Sequence, residues 1–313
     1  MFFADLKLKQ LKLSVELRLD QLPLLAKPNF SRLEALALEL AEHAVVPAVR
    51  LLAEQLPRWQ HLRSLRVTDV DLEANEFRDL EQLTWTFPAS TTTIGIELAC
   101  FPRIQAPNAR LLSFDNPANV LTCLDAAASA PELRELQLSA SWEYETAEEI
   151  AESKFVERFA KLQLPALERL FVYVNEDAGE PPPAVFCAAV SRFTSLQTVL
   201  IYVASDTRAA DVEAMLAALP LLRSFEVSCD DEVESRESRT ERSCPAERRY
   251  KLEHLEEVNL SVDCDDALLA ALHAPKLERL TLGGSMHLRR PSRSLAHFPP
   301  IVLQLNHSAR ISC

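Results

Sequence analysis

A short phrase of alternating apolar residues recurs along the chain. Each copy has an apolar residue, any two residues, a second apolar residue, any one residue and a third apolar residue. The clearest copies are Leu33-Leu36-Leu38, Leu62-Leu65-Val67, Leu133-Leu136-Leu138, Leu167-Leu170-Val172, Leu196-Val199-Ile201, Leu222-Phe225-Val227, Leu255-Val258-Leu260 and Leu277-Leu280-Leu282. Apolar residues with a period of two are typical of a β-strand, so each copy predicts one short strand.

Weaker copies of the phrase fill the remaining gaps. They begin at Leu8, Thr93, Ala109 and Pro300. From Leu8 to Pro300 the mean step is about 26.5 residues, a regular spacing that indicates a repeat architecture. The step from Thr93 to Ala109 is too short for a full repeat, so one of these two copies is degenerate or misread. We therefore expect about ten to twelve repeats.

Between the phrases the apolar period changes to about 3.6 residues, which predicts amphipathic helices. The predicted helices span 44–56, 75–83, 119–130, 147–162, 184–193, 208–219 and 265–272. Prolines such as Pro131 and Pro165 precede strand phrases, where they would end a helix. The predicted fold class is α/β, a curved solenoid with parallel strands on the concave face and helices on the convex face.

The phrase LxxLxL resembles the leucine-rich-repeat family over nearly the whole chain, and the helical connections resemble its ribonuclease-inhibitor-like branch. The resemblance implies one solenoid over 1–313. An Asn or Cys commonly follows the last strand leucine of this family by three positions, and only Asn175 fits here. The irregular repeats resemble the repeat region of F-box/leucine-rich-repeat proteins. Leu8 already opens a repeat, so we expect no F-box in this chain.

Composition narrows the class of partner. The 313 residues are 48% hydrophobic, which excludes wholesale disorder. Lys and Arg total 33 against 46 Asp and Glu, and the formal net charge is −13. A chain this acidic is poorly suited to neutralising nucleic acid phosphates or anionic lipids. No apolar run reaches about 18 residues, the length of a membrane-spanning helix. We therefore expect neither a nucleic acid nor a membrane as partner.

No pattern typical of catalysis or metal binding is present in the sequence. The chain has only four glycines and no phosphate-binding loop, GxSxG or HExxH pattern. Its seven cysteines form no CxxC pair, and the spacing of Cys229, Cys244, His254 and Cys264 matches no known metal site. We predict a protein that is not an enzyme and holds no cofactor or metal. Free cysteines favour a cytoplasmic or nuclear location.

Two neighbouring repeats carry large side chains at positions that alternate with the core residues and so face outward. In one repeat these are Phe171 and Tyr173, and in the next they are Leu200 and Tyr202. The expected flanking residues are charged: Glu135, Arg169 and Glu226. Aromatic residues with a polar rim are typical of a protein interface, so these seven are the predicted partner-binding residues. Alternatively, the 174–184 loop covers the aromatic residues, or they pack only on one another.

Acidic residues follow the ends of many predicted strands and indicate an acidic rim for a basic partner. They are Asp69, Asp71, Glu73, Glu143, Glu145, Glu176, Asp177, Asp206, Asp230, Asp231, Glu232, Asp263, Asp265 and Asp266. Alternatively, they are helix N-caps, as expected for Asp206 and Asp265.

The segment 229–249 is rich in acidic residues and arginines and poor in apolar ones, which predicts a charged mobile insertion between repeats.

These patterns favour a non-catalytic protein–protein interaction module that binds a protein partner through its concave face. The alternative, implied by the F-box resemblance, is a substrate-receptor subunit of an SCF-type ubiquitin ligase. Capture of a cullin adaptor would distinguish the alternative from a general binding module. Unprotected strand edges at both ends further suggest a part of a larger assembly.

Overall fold

The computed structural model describes residues 9–17, 22–26, 32–41, 44–69, 80, 82–98, 102–115, 120–140, 155, 157–174, 183–202, 209–228, 250–261, 269, 272–282 and 298–305. The chain divides into two compact units. The first contains Met1–Trp142 and Lys161–Leu167, and the second contains Glu143–Ala160 and Glu168–Cys313.

The described residues of the first unit form eight strands. These are β1 (Gln10–Leu17), β2 (Ala35–Leu40), β3 (Ser64–Asp69), β4 (Thr84–Thr86), β5 (Thr93–Glu97), β6 (Arg103–Gln105), β7 (Leu111–Asp115) and β8 (Glu135–Ala140). Strands β1, β2, β3, β5, β7 and β8 lie side by side in chain order and pair in parallel. Strands β4 and β6 form a separate parallel pair. A sheet whose strand order follows the chain order is the arrangement expected of stacked repeats.

Helices α1 (Val45–Gln55) and α2 (Val120–Ala128) confirm the helices predicted over 44–56 and 119–130. Short 3₁₀ helices occupy Leu22–Ala26 and Leu56–Arg58. Helix α2 packs against β6 and β8, and it buries Val120, Cys123 and Leu124. The predicted helix over 75–83 lies almost wholly outside the described residues.

The short step between the copies at Thr93 and Ala109 has a structural explanation. Both copies are strands, and Ile94 of β5 lies in register with Leu65 of β3 and Leu112 of β7. The phrase therefore begins at Thr91, two residues before the predicted start at Thr93. Thr91 takes the place of the first leucine: it is buried, and its hydroxyl donates a 2.8 Å hydrogen bond to the Leu62 carbonyl. A shift of two residues leaves the buried and outward faces unchanged.

The connection between β5 and β7 contains a strand, in a segment for which the sequence predicts no element. The described residues 102–110 contain β6 and no helix. Its Ile104 pairs with Trp85 of β4, and both side chains are buried. The Trp85 indole Nε1 donates a 3.0 Å hydrogen bond to the Val49 carbonyl. This bond satisfies the only polar group of the largest buried side chain and ties β4 to α1.

The described residues of the second unit also form eight strands. These are β9 (Arg169–Val174), β10 (Thr198–Tyr202), β11 (Ser224–Ser228), β12 (Tyr250–Lys251), β13 (Glu257–Ser261), β14 (Leu272–His273), β15 (Arg279–Leu282) and β16 (Val302–Leu305). Strands β9, β10, β11, β13, β15 and β16 pair in parallel in chain order. Strands β12 and β14 form a separate pair. The strand register matches the predicted phrases throughout this unit.

Helices α3 (Pro183–Val190) and α4 (Ala209–Ala218) confirm the helices predicted over 184–193 and 208–219, and they pack against each other. The predicted helix over 147–162 is described only in part, with Phe155 and 157–161 helical. Of the helix predicted over 265–272, Leu269 is helical, whereas Leu272 begins β14.

Four phenylalanine rings form the largest aromatic cluster in the described part of the second unit. Phe159 lies at the centre, 5.7 Å from Phe155, 5.4 Å from Phe186 and 5.5 Å from Phe193 between ring centroids. All four side chains are buried. This aromatic cluster joins the helical residues 157–160 to α3 and to the turn that follows it.

Within the described residues, no helix is long and apolar enough to cross a membrane.

Candidate partner-binding face

The sheet of the second unit has one buried face and one face with partial exposure, which we call the outer face. In β9, Leu170 and Val172 are fully buried, whereas the alternating Phe171 and Tyr173 are only partly buried. The same alternation continues in β10, where the outward Leu200 and Tyr202 are also partly exposed. The two-residue period of the strands therefore places these four side chains on the outer face, as the sequence predicts.

The strand register aligns one residue from each of five strands into a row, which we call the central row. It consists of Phe171, Leu200, Glu226, Asn259 and Thr281. Neighbouring strands in a sheet lie about 4.8 Å apart, so each member of the row lies beside the next. The row changes from apolar at β9 and β10 to polar from β11 onward.

The apolar part of the outer face comprises Phe171, Tyr173, Leu200 and Tyr202, which we call the aromatic patch. The rings of Tyr173 and Tyr202 meet edge to face, with centroids 4.4 Å apart and an interplanar angle of 74°. This contact shows that the aromatic side chains do pack on one another, yet each keeps part of its surface open. Most of the predicted covering loop, 175–182, lies outside the described residues. Binding by this patch stays a prediction.

The polar part of the outer face begins at Glu226. The Asn259 Nδ2 donates a 3.0 Å hydrogen bond to the Glu226 Oε1. Partial burial raises the pKa of Glu226, the hydrogen bond from Asn259 opposes this shift, and the nearby charge of Glu257 adds to it. Among the described residues, no cation pairs with Glu226, and no donor reaches the buried Asn259 Oδ1. Within the described part of this unit, a carboxylate therefore lies beside the aromatic patch without a balancing charge.

The outer face also carries an ion pair farther along the sheet. The Arg279 guanidinium donates to the Glu257 carboxylate at 2.8 Å, and this bond raises the pKa of Arg279. Both groups are exposed, so the pair adds little to stability. It does occupy Arg279, which is therefore not the counter-ion of Glu226.

The remaining predicted binding residues have different environments. Arg169 is exposed at the start of β9 and lies in register with Thr198. Glu135 belongs to β8 of the first unit and alternates with the core residues Leu136 and Leu138 as predicted, but it is buried, at 6% exposure, instead of accessible. Its carboxylate accepts a hydrogen bond from Gln137, whose own amide oxygen accepts one from Ser113. This hydrogen-bonded chain explains how a carboxylate is accommodated there.

Other predicted features lie mostly outside the described residues. They include the insertion 229–249, Cys229, Cys244, Cys264 and all members of the acidic rim except Asp69. In the part of the chain that the structure describes, no group of three or more His, Cys, Asp or Glu could hold a metal ion.

Two of the cysteines are described, Cys123 and Cys187, and both are buried thiols that form no disulfide with a described residue. Burial raises the pKa of Cys123 well above its usual value. Burial, with a contribution from the charge of Asp211, raises the pKa of Cys187 to about 12. Because the thiolate is the reactive form, these two thiols act as small core residues instead of nucleophiles.

The raised pKa of Glu226 predicts a specific pH dependence. The folded state holds this proton more tightly than the unfolded chain, so the stability contributed by protonated Glu226 is lost as pH rises through the folded pKa. Glu226→Gln should remove this loss. In urea unfolding between pH 4 and 7, the variant should therefore gain stability relative to wild type as pH rises. Glu253→Gln, at an exposed residue of the same unit, is the control. A difference independent of pH would contradict the assignment.

Comparison with known proteins identifies no family. No protein-family model matches the chain, and no curated protein matches it. Among solved structures, the chain is similar to a structural-genomics crystal structure of a Bacteroides fragilis protein. The two share 12% sequence identity with a TM-score of 0.41, and the match covers 93% of this chain and 70% of the other. The functional argument therefore rests on the residues of this chain.

Proposed function

We propose that this chain is a non-catalytic protein-binding module of the leucine-rich-repeat type, which holds a protein partner on the outer face of its second unit. The repeated LxxLxL phrase supports the repeat type, as does the chain-order arrangement of parallel strands within each unit. In such an architecture the outer face of the sheet becomes the concave surface, where extended partners bind.

The observation that carries this proposal is the aromatic patch. Four large side chains from two adjacent strands lie together on a face whose other described strands carry small or polar residues at the outward positions, apart from Val302 on β16. Tyrosine and phenylalanine bury a large area with few rotatable bonds, and aromatic residues dominate the energetics of many interfaces. Each anchor that a partner buries contributes about 1–3 kcal/mol to binding. The polar continuation of the central row then provides the rim.

Affinity purification with wild type beside the double variant Phe171→Ala/Tyr202→Ala tests this proposal. Proteins captured by wild type should be lost from the double variant, because two anchors together contribute about 2–6 kcal/mol. Gln304→Ala is the matched control, since Gln304 is exposed on β16 of the same sheet and far from the patch. Equal recovery by wild type and a folded double variant would show that the patch does not bind the partner.

A further inference from the structure

Two hydrogen-bond acceptors beside the aromatic patch lack a suitable partner among the described residues. Glu226 is partly buried and receives one hydrogen bond, from a neutral amide. The Asn259 Oδ1 is buried and receives none from the described residues. Its register neighbour Thr281 lies on the other side and forms no hydrogen bond with it. Buried acceptors in folded proteins are nearly always paired. Because no described residue supplies the missing donor, this pair of residues is suited to a donor from a bound partner.

The chemistry of the two acceptors specifies that donor. An ionised carboxylate only accepts hydrogen bonds, so it holds the Asn259 amide with Nδ2 towards Glu226 and Oδ1 away from it. A donor that binds Glu226 beside the partly exposed Asn259 takes the place of Nδ2. The amide can then rotate about its terminal torsion, which has a broad range, and turn its oxygen towards the same donor. A Lys ammonium or an Arg guanidinium offers several donors together with the positive charge that Glu226 lacks.

The geometry also relates this donor to the aromatic patch. Glu226 is in register with Leu200, and Asn259 lies one strand farther on. With strands about 4.8 Å apart, a cation midway between Glu226 and Asn259 is about 7 Å from Leu200 and about 12 Å from Phe171. An extended peptide advances about 3.3 Å per residue. A ligand that crosses the strands therefore places side chains about two to four residues apart over the patch and over the acceptors.

We propose that the partner presents a Lys or Arg about two to four residues from a large apolar side chain, with the cation at Glu226 and Asn259 and the apolar side chain on the aromatic patch. This inference rests on the proposed function and names the chemistry of its partner. The net charge of −13 favours the approach of such a basic segment. The long apolar stem of either cation also suits the Leu200 side of the row.

Peptide display on the immobilised full-length chain provides the test. Random twelve-residue peptides selected on wild type should combine a basic residue with an aromatic or large aliphatic residue at the stated spacing. In one selected peptide, replacing Lys by norleucine, or Arg by citrulline, should weaken binding to wild type about 10–100-fold, the usual effect of losing a charged hydrogen bond. The same change should matter only a few-fold on Glu226→Gln, which keeps the size and the Asn259 contact.

The outcomes separate the inference from the proposed function. Selected peptides that need Phe171 but show no basic preference would overturn the inference and leave the proposed function in place. A cation whose replacement weakens binding equally on wild type and Glu226→Gln would do the same. Selected peptides that bind Phe171→Ala and Glu226→Gln as well as wild type would overturn both. Thermal melts of each variant confirm that the protein used is folded.

Discussion

Leu170→Ala should lower the free energy of unfolding by about 2–5 kcal/mol, whereas Phe171→Ala, at the next residue, should lower it by about 1–2 kcal/mol. Leu170 is fully buried in the row of β9 that faces the core, so its truncation removes apolar contacts and leaves a cavity. Phe171 points to the opposite face and is partly exposed, so the alanine variant returns only part of its area to water. Urea unfolding of both variants measures the contrast.

This pair of variants tests the strand register, on which the aromatic patch depends. A shift of one residue would place Phe171 in the core and Leu170 on the surface. The two losses would then be reversed, and no patch would exist at this position. Val199→Ala and Leu200→Ala, the corresponding pair in β10, should show the same order. Equal losses within both pairs would contradict the alternation.

Most strand positions could be predicted from the sequence because the repeated phrase shows where each strand lies along the chain and which of its side chains face the core. Alternating burial requires apolar residues at alternate positions, and parallel repeats require that the phrases align. The register of β9, β10, β11, β13 and β15 therefore follows directly from the letters. At β5 the pattern misled by two residues, because a hydrogen-bonded Thr91 occupies the place of an apolar residue. A hydrophobic pattern does not detect a polar residue that is buried because it forms a hydrogen bond within the core.

The connections were harder to predict than the strands. The hydrophobic pattern does not predict strand β6, which lies in the short chain between β5 and β7. Trp85 and Ile104 cover the core there. A short segment of apolar and β-branched residues does not distinguish a strand from a helix by its period alone. Tertiary packing decides the outcome.

The candidate site also contains some residues whose environment the sequence predicts and others whose environment it does not. The four members of the aromatic patch follow from alternation, so the sequence predicts them together. The environment of Glu135 does not follow from alternation. Its buried carboxylate is hydrogen-bonded to Gln137, which is itself hydrogen-bonded to Ser113 on a neighbouring strand. Asn259 looks like any outward polar residue in the sequence. Its unpaired oxygen is evident only when the positions of its neighbours on adjacent strands are known.

Phe159→Ala should lower the free energy of unfolding by about 3–5 kcal/mol, the usual range for removing a buried phenylalanine. Phe159 is fully buried and contacts the rings of Phe155, Phe186 and Phe193. Each aromatic contact adds about 0.5–1.5 kcal/mol beyond the buried area, so the central ring should matter more than any ring at the margin. The three surrounding rings come from a helical segment, from α3 and from the turn after it, which limits how far they can close the cavity. The expected loss therefore lies towards the upper end of the range.

Urea unfolding followed by far-UV circular dichroism measures this loss of stability. Arg192→Ala, at an exposed neighbour of Phe193, is the control. If Phe159→Ala were no more damaging than Arg192→Ala, the aromatic cluster would not be the core of the second unit.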